Sequence, residues 1–267
     1  MNERLNGVAA WILYAIAAAV MVFILLPLAV VVASSFSNTY IVTFPPKGFT
    51  FNWYVKVLGD SEFQSALKLS LLLAFGSTIG ALLLGVPAAI ALTRARFRGL
   101  QVLQDLVLSP LIFPALVTGL ALLQVLNRMG SGNVMVNLLI GHIVVTAPYV
   151  MRTVITSLQL VDLNLEDAAR TLGASRMRTF WKVTLPQIAP GVAAGALFAF
   201  MVSFDNVPVS LWLADAQYTP VPLLLMHQLV NVFDPSIPAM STIVIVLALG
   251  GTLLLERLVG MRRAVAI

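Results

Sequence analysis

Six stretches of this chain, about 8–34, 63–93, 102–125, 134–158, 188–213 and 238–258, run apolar for long enough to cross a bilayer. One crossing of the hydrocarbon core takes about 20 mostly apolar residues in a helix. In lipid, the backbone must satisfy its own hydrogen bonds, so such stretches are expected to be helices. Composition agrees: 60% of the residues are hydrophobic, with a mean hydropathy of +0.96, where a soluble domain is roughly 45–50% apolar. The expected fold class is an all-α integral membrane protein with six transmembrane helices. Prolines fall within the stretches, among them Pro87, Pro110 with Pro114, and Pro208. Membrane helices tolerate them when neighbouring groups satisfy the freed carbonyls.

The basic residues set an orientation. With the N-terminus inside, the inner segments carry twelve of the sixteen, Arg4, Arg94, Arg96, Arg98, Arg152, Arg170, Arg176, Arg178, Lys182, Arg257, Arg262 and Arg263. The outer segments carry Lys47, Lys56, Lys68 and Arg128. That asymmetry is the positive-inside pattern, and it places both termini in the cytoplasm. Because the charge sits beside the spans, the net +5 points to a lipid bilayer and not to a nucleic-acid partner. The first stretch begins with Arg4 and passes a cleavage-like Val31-Val32-Ala33. Its apolar run far exceeds a signal core of about 7–15 residues, so it is expected to be retained as a span.

Between Ser35 and Glu62 lie Phe51, Trp53 and Tyr54, which suit an interfacial aromatic belt. Gly76 to Gly80 and Gly191 to Gly195 have the G-x-x-x-G spacing of close helix packing. The expected division is residues 1–62, a first span with an outer interfacial segment; 63–258, a core containing an inner loop at 159–187; and a cytoplasmic tail at 259–267.

Several chemistries are missing. The chain has no cysteine, so it offers neither a thiolate metal ligand nor a cysteine nucleophile. It lacks a phosphate-binding G-x-x-x-x-G-K-[ST] loop, an H-E-x-x-H pair and a G-x-S-x-G elbow. His142 and His227 stand alone, as packing or loop histidines do more often than ligands. No catalytic residue, metal site or cofactor is expected in this chain. Such a protein conducts passively, uses a gradient, or takes its energy from a partner.

One inner segment stands apart. Leu165–Pro186 reads LEDAARTLGASRMRTFWKVTLP and holds Glu166, Asp167, Arg170, Arg176, Arg178 and Lys182. Asn164 is a candidate N-cap, with Asp167 in the place of a capping-box acid. Leu165, Ala168, Ala169 and Leu172 share one helical face, and the alanines make it shallow. Gly173 suits a left-handed helix end, and Ser175 can cap a second helix. That helix presents Met177, Phe180, Trp181 and Leu185, as one lying on a membrane surface would, until Pro186 ends it. A merely solvated loop needs the charge but neither the caps nor the alanine face, so a docking device is favoured.

The segment resembles the EAA signature of binding-protein-dependent ABC importer permeases: E-A-A, three residues, G, nine residues, then I-x-L-P. Here Asp167-Ala168-Ala169 is followed at that spacing by Gly173 and then by Val183-Thr184-Leu185-Pro186. Asp167 stands where the signature has Glu, although Glu166 adjoins it, and Val183 stands for Ile. The resemblance spans about Phe63 to Glu256 and implies the type I importer permease fold in the inner membrane. It further implies an ABC ATPase dimer carrying ATP and magnesium, a second permease subunit of a paralogous chain, and a substrate-binding protein. Under it, Glu166, Asp167, Ala168, Ala169, Leu172, Gly173, Leu185 and Pro186 form the ATPase-coupling segment.

Two acids lie within the spans. Asp105 is near Arg94, Arg96 and Arg98 and suggests an interfacial charge pair. Asp205 lies deep in the fifth stretch within Ser203-Phe204-Asp205-Asn206. A carboxylate there costs about 2.5–3.5 kcal/mol on insertion scales and marks a functional site by default. Ser203, Asp205 and Asn206 are therefore candidate substrate-path residues; the alternative is a bond from Asp205 to a neighbouring helix or to backbone loosened by Pro208. The SFDN run with TPVPLLLMHQL and DPSIPAMST is similar to permeases of spermidine/putrescine importers, which favours a polyamine-like solute. A gradient-driven secondary transporter or channel, or a membrane scaffold, would not need the coupling segment.

Overall fold

The computed structural model describes residues 8–39, 44–231 and 235–259. Of the expected tail at 259–267, residues 260–267 with Arg262 and Arg263 lie outside the described residues, as does Arg4. The described structure is helical: α1 (Val8–Ser34), α2 (Asn52–Gly59), α3 (Ser61–Arg94), α4 (Leu100–Leu108), α5 (Ala115–Arg128), α6 (Val134–Leu158), α7 (Leu163–Thr171), α8 (Arg176–Thr179), α9 (Leu185–Phe204), α10 (Val207–Leu213), α11 (Val221–Asn231) and α12 (Ile237–Val259). Five helices among the described residues are long and apolar enough to span a membrane, and a bent pair can supply a sixth.

The prolines do not act alike. Pro87 sits inside an unbroken α3. The third apolar stretch is instead bent by 104° between residues 100–111 and 115–128. Pro110 lies in a 3₁₀ turn at Ser109–Leu111, and Pro114 caps α5 in extended backbone. Proline disfavours helical backbone in the residue before it, which starts the break at Phe113. The fifth stretch likewise ends at Phe204, and Pro208 falls in the first turn of α10, where its missing N–H costs no hydrogen bond.

Contacts divide the chain into two units, residues 1–61 with 225–246, and 62–224 with 247–267. In the first, Phe36 stacks on Phe49 with ring centroids 5.1 Å apart, while Phe51 and Tyr54 close around them. Trp53 donates its indole N–H to the Ser37 carbonyl at 2.8 Å. These aromatics thus pack on one another while Phe49 and Phe51 stay exposed.

In the second unit α6 lies at the centre. Both G-x-x-x-G pairs pack against it: Gly76 and Gly80 face Leu139 and Ile143, and Gly191 and Gly195 face Ser157, Thr153 and Val150. Lipid removes the hydrophobic drive between helices, so close approach through small residues must supply van der Waals contact. One cluster joins Ala81, Ala89 and Leu92 of α3 to Val150 and Val154 of α6 and Ile188 of α9. Another joins Leu73, Leu126 and Leu138 to Val209 and Leu213 of α10. This packing fixes the C-terminal ends of α3 and α6 and the N-terminal end of α9 beside one another and holds the α9–α10 break against α6.

Candidate functional site

The inner segment is two capped helices. Asp162, and not Asn164, caps α7: its Oδ1 accepts the Asn164 N–H at 2.9 Å. The helix therefore starts earlier than expected, because an aspartate at 162 reaches the amide two residues on as readily as asparagine reaches its own. Gly173 takes φ +85°. Its N–H bonds to the Arg170 carbonyl at 2.9 Å, and that of Ala174 to the Ala169 carbonyl at 3.0 Å. These two bonds make a Schellman helix end, which requires left-handed backbone at 173. Ser175 then caps α8, accepting from the Arg178 N–H at 3.3 Å.

A π-helical turn, Phe180–Thr184, carries the chain from α8 into α9. Trp181 leans back on Met177, with its indole N–H 3.1 Å from the sulfur, and Phe180 packs edge-on to Trp181.

Residues on α7 divide by face. Leu165, Asp167, Ala168 and Gly173 are exposed, Ala169 is half-buried, and Leu172 is 88% exposed. Leucine so exposed at a helix end, outside the spans, marks an apolar face without a partner among the described residues. Leu185 is half-buried against the core and Pro186 is exposed at the start of α9.

Glu166 differs from its neighbours: it is 3% exposed and points into the protein. It accepts from the Arg94 guanidinium at the end of α3 and from the Thr184 hydroxyl at 2.6 Å, with Arg170 3.9 Å away. Burial disfavours its ionised form, but the hydrogen bonds from Arg94 and Thr184 and the charges of Arg94 and Arg170 outweigh this. Together they hold the carboxyl below its ordinary value of 4.5. Thr184 occupies the variable position of the I-x-L-P run and Arg94 counts in the sequence only as an inner charge near Asp105; an arginine closing a span 72 residues away gives no local signal of a bond to Glu166. The expected pairing of Asp105 with the arginines is not what forms. Asp105 accepts from Gln101 at 3.0 Å, one turn away, and Arg94 is committed to Glu166.

The second site is the break after α9. His142, 1% exposed in α6, bonds through Nδ1 to Ser203 Oγ at 2.7 Å and through Nε2 to Ser210 Oγ at 3.1 Å. It ties α9 and α10 to one side chain across the break. Asn206 is buried and caps α10, accepting the Val209 N–H at 3.0 Å. Ser203 and Asn206 thus direct side-chain oxygens to the fold. Asp205, the C-cap of α9, is exposed, and among the described residues no side chain bonds its carboxylate. The alternative of an acid bonded to a neighbouring helix does not form among the described residues, and the carboxylate is displayed on the surface of the chain. Helix packing puts it there because α9 stops one residue short of it.

A cleft of about 540 Å³ also opens between α6 and α9, lined in part by Tyr149, Arg152, Thr156 and Phe198. Its arginine suits an anion better than a cation.

Residues 81–261 match the family described as binding-protein-dependent transport system inner membrane component. The chain is 31% identical over 228 residues to the spermidine/putrescine transport system permease protein PotC of Haemophilus influenzae, covering 85% of this chain and 88% of that one. It is equally 31% identical over 220 residues to the molybdate/tungstate transport system permease protein WtpB of Pyrococcus abyssi, covering 82% and 88%. Among solved structures, a chain of a bacterial alginate ABC transporter in complex with alginate pentasaccharide-bound periplasmic protein superposes with a TM-score of 0.73. That match has 17% identity and covers 93% of this chain and 94% of that one; at such identity it shows the fold.

Proposed function

Because the chain belongs to the binding-protein-dependent transport family, as an inner-membrane permease subunit of a type I ABC importer and not an enzyme, we propose that it couples solute passage to a separate ATPase through residues 163–186. The carrying observation is the exposed apolar face of α7, Leu165, Ala168 and Leu172, ended by left-handed Gly173. Small side chains on that face leave room for a groove of a partner to close on the helix. With no phosphate loop in its sequence, the permease takes its energy from an ABC ATPase dimer, where ATP and magnesium bind. A second, paralogous permease completes the pore. A binding protein delivers solute from the outer side, and the α7 loop and both termini face the cytoplasm.

The solute is a small cation of the polyamine type. PotC shares 31% identity with this chain, and Asp205 offers a carboxylate that no side chain bonds among the described residues, beside the break. WtpB, named for oxyanions, is equally similar, so overall identity does not choose between them; the acid at 205 favours the cation. The test is purification of the tagged chain, co-expressed with an ABC ATPase, a second permease and a binding protein from the same genome, followed by reconstitution. Stoichiometric ATPase and ATP-dependent putrescine uptake are expected. A chain that carries solute in vesicles with no ATPase attached would overturn the reading.

A further inference from the structure

The face of α7 that docks a partner does not include Glu166. That side chain is buried, and its two strongest partners lie on different elements: Arg94 is the last residue of α3, and Thr184 immediately precedes α9. One carboxylate therefore joins the end of a span, the middle of the inner helix and the start of another span. Arg170, on the next turn of α7, adds charge at 3.9 Å. Thr184 also closes the π-helical turn at Phe180–Thr184. Such turns hold one residue more than the α-helical repeat and occur often at functional sites. Beyond Thr184, α9 runs unbroken to Phe204, where Ser203 is bonded to His142 and Asp205 is displayed.

We propose that Glu166 is a positioning residue that makes α3, α7 and α9 move as one body, so that displacement of α7 by the ATPase is delivered to the α9–α10 break. It does so without touching the ATPase. A loop tethered only by its chain ends would absorb such a displacement through backbone rotation. The Glu166 carboxylate is buried while the Arg94 side chain is 37% exposed, so separating them strands the carboxylate, not the guanidinium, away from water, and that resists the rotation. The hydroxyl of Thr184 carries the constraint on to α9. The inference rests on the proposed role of α7 in coupling.

The experiment uses the complete importer in vesicles at matched ATPase content. It measures three quantities: ATPase retained on the complex, putrescine taken up per ATP hydrolysed, and stimulation of hydrolysis by the liganded binding protein. Glu166→Gln keeps the shape and removes the charge; Thr184→Val removes the hydroxyl with little change in volume. Each is expected to retain the ATPase at wild-type stoichiometry and to lower uptake per ATP by about tenfold, with stimulation lost in parallel. Because the two residues act through one link, the double variant is expected to fall no further than the worse single one. Three results overturn the inference: unchanged uptake per ATP and stimulation, loss of the ATPase from either variant, or additive losses in the double variant. A wild-type complex that holds no ATPase would instead sink the coupling role itself. Should the wild type hydrolyse ATP without carrying putrescine, the solute assignment fails and the stimulation measurement still decides the case for Glu166.

Discussion

Glu166 accepts a hydrogen bond from Arg94, a residue 72 positions earlier in the chain, so the inner helix is tied to the end of a membrane span. This pairing separates two jobs that lie side by side in the sequence. Asp167, Ala168 and Leu172 are exposed, while Glu166 faces the protein.

The ion pair predicts a pH dependence. The Glu166 pKa is lower folded than unfolded, so its contribution to stability is fully present above the unfolded value. It is lost as pH falls through the lowered folded value. Thermal unfolding of detergent-solubilised wild type and Glu166→Gln is expected to differ by a constant margin from pH 7 to about pH 5. The margin should shrink below the ordinary carboxyl value of 4.5. A margin independent of pH down to the acid limit would contradict the pairing.

Gly173→Val places a β-branched residue at φ +85°. An added Cβ meets nothing within 4 Å, so the penalty is confined to the backbone, about 1–2 kcal/mol for left-handed geometry. Insertion is expected to be normal, while ATPase co-purification and uptake fall several-fold. Gly173→Asn, which tolerates that geometry, should retain most of both. Equal behaviour of the two variants would show that the helix end does not matter.

His142→Leu leaves the Ser203 and Ser210 hydroxyls without their partner. Stranding a buried polar group costs about 1–3 kcal/mol, so a lower unfolding temperature and reduced uptake are expected. Ser210→Ala removes only the longer 3.1 Å bond and should cost less. The comparison is made by thermal unfolding in detergent.

Asp205→Asn keeps volume and hydrogen-bonding capacity. An ammonium crossing low-dielectric surroundings needs compensating charge, so putrescine uptake in reconstituted vesicles is expected to drop, by about tenfold. Assembly and affinity for the binding protein should stay unchanged. Unaltered uptake removes Asp205 from the path, and loss of assembly makes it a packing residue.

Gly191→Ala is expected to destabilise more than Gly80→Ala. A Cβ at 191 lies 2.7 Å from the Thr153 backbone carbonyl, which cannot move away, whereas one at 80 meets only the Ile143 side chain. Overpacking of this kind costs about 1–3 kcal/mol. Unfolding temperatures of the two variants in one detergent decide it, and an equal or reversed order refutes the close α6–α9 approach.

The sequence by itself determined the features whose cause is local. A bilayer core demands uninterrupted apolar length, so the spans could be counted from composition along the chain. Helix ends obey chemistry within a few residues, so Gly173 and Ser175 were legible; the cap at Asp162 was misplaced by two residues because two polar side chains competed for it. Proline marks a candidate break but not its size. Pro87 leaves α3 whole while Pro110 and Pro114 admit a 104° bend, because the result depends on what packs around the freed carbonyls. Only the tertiary structure decided that Glu166 turns inward to Arg94 and Thr184, that lone His142 joins two serines across a break, and that Asp205 remains exposed. Each rests on pairing between residues far apart in the chain, and the direction of a side chain in such a pair is set by the close packing of α3, α9 and α10 on α6.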